Sequence, residues 1–172
     1  MPVRSRDIAL SSLFGVVIFA QKALLPAPYD KVVSVLVQIV FLSLAFLMTG
    51  FPGPILTGFI SGLLTASMRG GLALMTFSFA LLYGVLVSSL NRLLAVAELG
   101  HVRLRRLVAS TLASTLLVGV LSAAASAILG IIPYNPALFS MIIVAGAVQG
   151  VAGGLISGIA WEKYLRNLSS AS

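Results

Sequence analysis

NRLLAVAELGHVRLRR, from Asn91 to Arg106, is the one interior stretch where charges gather. Arg92, Glu98, His101, Arg103, Arg105 and Arg106 fall within it, between two blocks that are almost wholly apolar. A polar segment so flanked reads as a water-exposed loop dividing a membrane protein into two unequal halves.

Composition supports that division. Hydrophobic residues make up 59% of the chain and charged residues 9%, with a mean hydropathy of +1.12, whereas soluble domains carry roughly 25% charged residues. A soluble fold has too little interior to hide so much apolar surface. The 172 residues suit about six spans of ~20 residues with short turns, so the expectation is one all-α integral membrane domain over 1–172, a six-transmembrane-helix bundle. The net charge of +7 would suggest nucleic acid in a soluble protein. Here the basic residues sit in short loops, where orientation in the bilayer explains them, and no nucleic-acid partner is expected. The lack of cysteine excludes disulfides, thiolate metal sites and thiol catalysis. Arg4 and Arg6 precede an apolar run that continues as a full span, so no cleavable signal is expected.

Proline, glycine and charge punctuate the spans, which are expected over 8–25, 32–49, 55–67, 72–90, 107–130 and 137–160. The punctuation is PAPYDK after the first, GFPGP after the second, SMRGG after the third and IIPYNP after the fifth. With the N-terminus inside, the cytoplasmic side receives eight basic residues, Arg4, Arg6, Arg92, Arg103, Arg105, Arg106, Lys163 and Arg166, against three for Lys22, Lys31 and Arg69. That asymmetry favours N-in and C-in, with Trp161 and Tyr164 at the inner interface.

Small residues recur at four-residue spacing, which puts them on one helix face where backbones approach closely. Gly146, Gly150, Gly154 and Gly158 form a ladder in the sixth span, Gly58 and Gly62 a pair in the third, and Ser11 with Gly15 a small face in the first. Such faces either pack helices within the bundle or dock a partner. The echo of Gly58-Phe59-Ile60-Ser61-Gly62 in Gly154-Leu155-Ile156-Ser157-Gly158 fits an inverted three-plus-three repeat, or chance in so biased a composition.

Catalytic arrangements find no support. The single histidine, His101, lies in the charged loop, so neither Ser61 nor Ser157 has a base within the membrane. Asp7, Asp30, Glu98 and Glu162 fall at span ends or in loops, too scattered for a carboxylate pair or a metal site. No phosphate-binding glycine loop with its lysine is present. No enzyme, cofactor or metal is expected.

What remains is a polar set biased toward the outer side. A cation within a span costs ~2.5–3.5 kcal/mol on insertion scales, so Lys22 either snorkels to the interface or meets a partner. Gln21, Tyr29, Asp30, Lys31, Arg69, Tyr134 and Asn135 lie in or beside the outer turns and form the rim of an expected pocket. Gln38, Tyr83 and Gln149 lie deeper, the last two roughly 18 Å down at 1.5 Å per residue. They meet either in an interhelical hydrogen bond or at the pocket floor. Lys22 and Arg69 would select a ligand bearing a carboxylate or phosphate, unless Asp30 neutralises one of them.

The span count, the basic loop after the fourth span and the glycine-spaced stretch Gly53-Pro54 through Gly58 to Gly62, GPILTGFISG, resemble the substrate-binding S components of energy-coupling factor (ECF) transporters, which take up vitamins and related micronutrients in prokaryotes. The resemblance implies a multi-pass protein of the prokaryotic cell membrane that binds a small micronutrient on the outer side. It further implies a transmembrane T component and two ATPase subunits as partners, whose ATP hydrolysis tips the S component over to release its ligand inside. The family often presents an alanine pair on its first helix to the T component; Ser11 and Gly15 keep that spacing with other residue types. Motifs of the biotin, riboflavin and thiamine binders are absent, which leaves the ligand open. The competing readings are a membrane scaffold that holds a partner through its glycine faces and a self-contained small permease.

Overall fold

The computed structural model describes residues 4–25, 29–98, 101–131 and 135–165, with only the backbone at 29–32, 98 and 101. The fold is all-α: α1 (Ser5–Leu24), α2 (Tyr29–Thr49), α3 (Pro52–Ser67), α4 (Ala73–Leu93), α5 (Leu104–Ile128) and α6 (Pro136–Ala160). Four segments, Ser5–Leu24, Gly70–Leu93, Leu104–Ile128 and Pro136–Leu165, are long and apolar enough to cross a membrane. The third helix starts at Pro52, three residues before the expected 55, because a proline at the first helical position gives up no hydrogen bond. Gly50 supplies the tight turn before it, with φ +74° and its N–H on Phe46 O at 2.8 Å.

The expected loop over Asn91–Arg106 is shorter than its charges suggest. α4 runs to Leu93 and α5 starts at Leu104, and between them Ala97–Glu98 pairs antiparallel with His101–Val102. Asn91 and Val96 are fully buried. Arg106 donates from Nη1 to Leu94 O at 3.1 Å and Ala95 O at 3.4 Å, satisfying carbonyls at the end of α4. Arg92 lies over the Phe51 ring at 5.4 Å, tying the hairpin end to the α2–α3 turn. Trp161, expected at an interface, is buried in the bundle end, while Tyr164 beside it is exposed.

The helices pack as a ring in the order α1, α3, α4, α5, α6, α2, and α2 also touches α3, α4 and α5. Ile39 and Leu42 of α2 meet Tyr83 and Val87 of α4 in the apolar core. Elsewhere the bundle is inside out. Ser11, Thr57, Ser61, Thr111, Ser114 and Ser157 are buried, while Leu13, Leu63, Leu74, Leu121, Val144 and Val148 are exposed. Buried hydroxyls avoid an unmet hydrogen bond mostly by bonding within their own helix: Thr65 to Ser61 O at 2.7 Å, Thr115 to Thr111 O at 2.9 Å, Ser157 to Gly153 O at 2.8 Å. Small polar residues inside and large apolar ones outside are the pattern of helices packed in lipid.

The glycine faces lie inside the bundle. A Cβ added at Gly150 would stand 2.8 Å from Leu112 Cα, and one at Gly154 2.9 Å from Val108 Cα, so α6 meets α5 almost backbone to backbone. A Cβ added at Gly58 would likewise stand 2.6 Å from Ala80 O of α4. These contacts answer the choice between packing and docking at those positions in favour of packing. The α5–α6 contact relaxes along its length, since at Gly146 the added Cβ would clear Thr115 O by 3.7 Å and at Gly119 it would clear Ile142 Cγ2 by 3.8 Å. The two helices part toward the end that carries Arg69.

Candidate functional site

The space opened by that divergence is a cavity of about 690 Å³ at the Arg69 end of the bundle. It is within the usual range for a small-molecule site, ~300–1,000 Å³. Five of the sequence candidates line it: Lys22 from α1, Gln38 from α2, Arg69 from the turn before α4, Tyr83 from α4 and Gln149 from α6. Their convergence follows from topology. The last turn of α1, the first half of α2, the start of α4, the end of α5 and the start of α6 all lie at this end.

Lys22 does not simply snorkel outward. Its Nζ donates to Gln38 Oε1 at 3.0 Å, which joins α1 to α2 across the cavity wall. An ammonium is a donor only, so it fixes the amide with Oε1 toward the lysine and the NH₂ end turned away. Arg69 is exposed at the rim, in the turn where Gly70 takes φ +48° and Leu72 N–H bonds Arg69 O at 3.1 Å. From Leu72 just before it, successive turns of α4 then carry Met75, Thr76, Phe79, Ala80 and Tyr83 inward along one wall. No carboxylate lines the cavity among the described residues.

Tyr83 ends that wall. It is 3% exposed and packs on Ile39, Leu42 and Val87, which close the space below it. Its Oη is buried without a hydrogen-bond partner, the one lining side-chain atom so placed among the described residues. The interhelical hydrogen bond considered for Tyr83 and Gln149 is therefore not made, although both residues line the same space.

Other candidates stand elsewhere. Asn135 caps α6: its Oδ1 accepts from Ala137 N at 2.9 Å, ahead of Pro136 in the first turn, and it is not part of the cavity wall. Tyr134 lies outside the described residues, as does the side chain of Tyr29. Gln21 is beside the site in sequence but does not line it. Ser11 and Gly15, expected to face a partner, instead face α3. Ser11 is fully buried with its carbonyl accepting from Thr57 Oγ1 at 3.3 Å, and a Cβ on Gly15 would stand 2.9 Å from Ile60 Cβ. That face is filled by the bundle itself.

Sequence reasoning missed the apolar walls, namely Met75, Phe79, Val118, Met141 and Ile142. In a chain of this composition, an apolar side chain turned to a cavity carries the same signal as one turned to lipid. No family model, curated protein or solved structure matches the chain.

Proposed function

We propose that the protein is the substrate-binding subunit of an ECF-type uptake transporter, a six-span membrane protein with both termini in the cytoplasm. In this reading it captures a small micronutrient from the outer side and carries no catalysis of its own. The observation that carries the reading is the cavity itself, open at one end, floored by Tyr83 and gathering donors from Lys22, Gln38 and Arg69. The Arg103, Arg105 and Arg106 cluster lies at the opposite end of the bundle, and the positive-inside rule then turns the cavity mouth outward. A T component and two ATPases would supply the energy. Because Ser11 and Gly15 are occupied by α3, docking to the T component would use another surface, such as the exposed Ile8, Leu13 and Val16 of α1.

A scaffold that grips its partner through glycine faces is the weaker reading, since Gly15, Gly58, Gly150 and Gly154 all meet neighbouring helices within the bundle. Native mass spectrometry of gently purified protein tests the proposal. A stoichiometric small molecule should be retained by the native chain and lost from at least one of Lys22→Ala, Arg69→Ala and Gln149→Ala. Absence of any bound molecule, with no thermal stabilisation by any vitamin tested, would refute it.

A further inference from the structure

Resting on that reading, we infer that the cavity opens sideways into the outer leaflet of the bilayer, and that its ligand is a lipid-soluble small molecule entering from the membrane rather than from water. The rim of the opening, its depth and the cavity walls point the same way.

The rim is apolar. Leu72, Ile131, Leu138 and Met141 line the cavity and are also 44, 45, 38 and 70% exposed, so they stand where its wall meets the outside. Met141 also heads a stripe on the outer face of α6, followed at helical spacing by Val144, Val148, Val151 and Leu155, all exposed. In a membrane such a stripe is covered by lipid tails, which therefore reach the edge of the cavity at Met141. A mouth turned to water would leave four large apolar side chains wetted. Arg69, the charged residue of this rim, is exposed and already engaged in an interaction of its own.

The opening is also deep enough. α6 has 25 residues, Pro136–Ala160, about 37 Å at 1.5 Å per residue against a hydrocarbon thickness of ~30 Å. Met141 lies about 7.5 Å along the axis from Pro136, so a centred helix puts it about 4 Å beneath the outer surface of the hydrocarbon.

The walls suit an apolar guest. Met75 and Phe79 line the space from α4, Val118 from α5 and Ile142 from α6, and the flexible thioethers of Met75 and Met141 can adapt to its shape. Polar groups among them are mostly spent within the protein. Thr115 Oγ1 donates to Thr111 O at 2.9 Å, Ser122 Oγ donates to Gly119 O at 3.0 Å, and Gln38 Oε1 accepts from Lys22 Nζ at 3.0 Å. Gln149 is engaged as well. A strongly hydrated solute would give up hydrogen bonds here that the walls do not return, whereas a molecule already dissolved in lipid gives up none.

Tryptophan reporters test this in the full chain carrying Trp161→Phe, reconstituted in bilayers, with helical circular dichroism as the check on folding. Met141→Trp should be quenched by dibrominated phosphatidylcholine and shielded from aqueous iodide; the reverse pattern would overturn the lateral opening. Phe79→Trp, on the α4 wall, should be quenched by the lipid-soluble probe 11-bromoundecanol with saturation near one molecule per chain. Val148→Trp, on the lipid face, should be quenched without saturation. Gly119→Leu, whose Cβ would meet nothing nearer than Ile142 Cγ2 at 3.8 Å, should fill the space and abolish the saturation, and Ser122→Leu should do so from the next turn. Equal quenching of Phe79→Trp by the brominated phospholipid would overturn a free ligand in favour of an acyl chain of the bilayer, and absence of saturation would overturn the inference outright. A strongly water-soluble molecule co-purifying with the native protein would leave the transport reading standing while sinking this one. No co-purified molecule together with no saturation would sink both.

Discussion

The glycine ladder of α6 looks uniform in sequence, yet two of its members should respond to the same substitution with opposite sign. Gly150→Ala places a Cβ 2.8 Å from Leu112 Cα and 3.1 Å from Thr111 O, both backbone atoms of α5. Ordinary carbon contacts lie near ~3.5–4.0 Å, so the helices must part by about half an ångström or more. Overpacking of this kind costs about 1–3 kcal/mol, against a gain of about 1 kcal/mol from replacing glycine by alanine within a helix. The net expectation is a loss of up to about 2 kcal/mol. Gly146→Ala meets only Thr115 O at 3.7 Å, an ordinary contact, so the helix gain stands alone and stability should hold or rise by up to about 1 kcal/mol. For a chain of this length each kcal/mol shifts the midpoint by about 2–4 °C. Trp161 is the sole tryptophan and is buried, so its intrinsic fluorescence reports thermal unfolding in detergent without a dye. Equal shifts for the two variants, or a larger loss at Gly146, would refute the claim that α5 and α6 diverge toward the cavity.

Three further expectations test other parts of the fold. Gln38→Leu removes the acceptor 3.0 Å from Lys22 Nζ and should lower stability by about 1.5–3 kcal/mol, with Lys22→Met in the same chain recovering part of the loss in a double-mutant cycle by thermal melts. Ala95 holds φ +47°, a left-handed conformation costly for a side chain; Ala95→Gly should raise the midpoint, by an amount equivalent to about 0.5–1 kcal/mol, whereas Gly elsewhere in the hairpin should not. The chain has no native cysteine, so single cysteines at Asn135 and Ala97 can be labelled on intact cells with a membrane-impermeant maleimide. Labelling of Asn135→Cys alone is expected from the proposed orientation, and labelling of Ala97→Cys alone would reverse it.

Helix positions were legible because proline, glycine and charge punctuate an otherwise apolar chain. The fourth span, expected over 72–90, is Ala73–Leu93, and the sixth, expected over 137–160, is Pro136–Ala160. The errors have one cause, the treatment of a polar or helix-breaking residue as a boundary. Asn91 and Arg92 still belong to α4, and Pro52 and Pro54 belong to the first turn of α3, where proline is tolerated. For the site, Lys22, Tyr83 and Gln149 stood out because a polar group within an apolar span needs a reason to be there, and Arg69 because it is a cation in an outer turn. Asn135 misled for the opposite reason, since at a helix start an asparagine serves the backbone first. The use of Ser11 and Gly15 against α3 was hidden, because a small face looks the same whichever helix it meets.

The hydroxyls buried between α5 and α6 have a mechanical consequence. Thr111 and Thr115 bond carbonyls of α5, and Ser157 bonds carbonyls of α6, so these groups form no rungs between the two helices. What they present to each other is an already satisfied surface, and Gly150 and Gly154 seat it against the α5 backbone at Leu112 and Val108. The join is therefore held by shape at these positions and not by the hydroxyls, so a change that adds volume there loosens it while a change that removes one of these hydroxyls breaks no bond between the two helices.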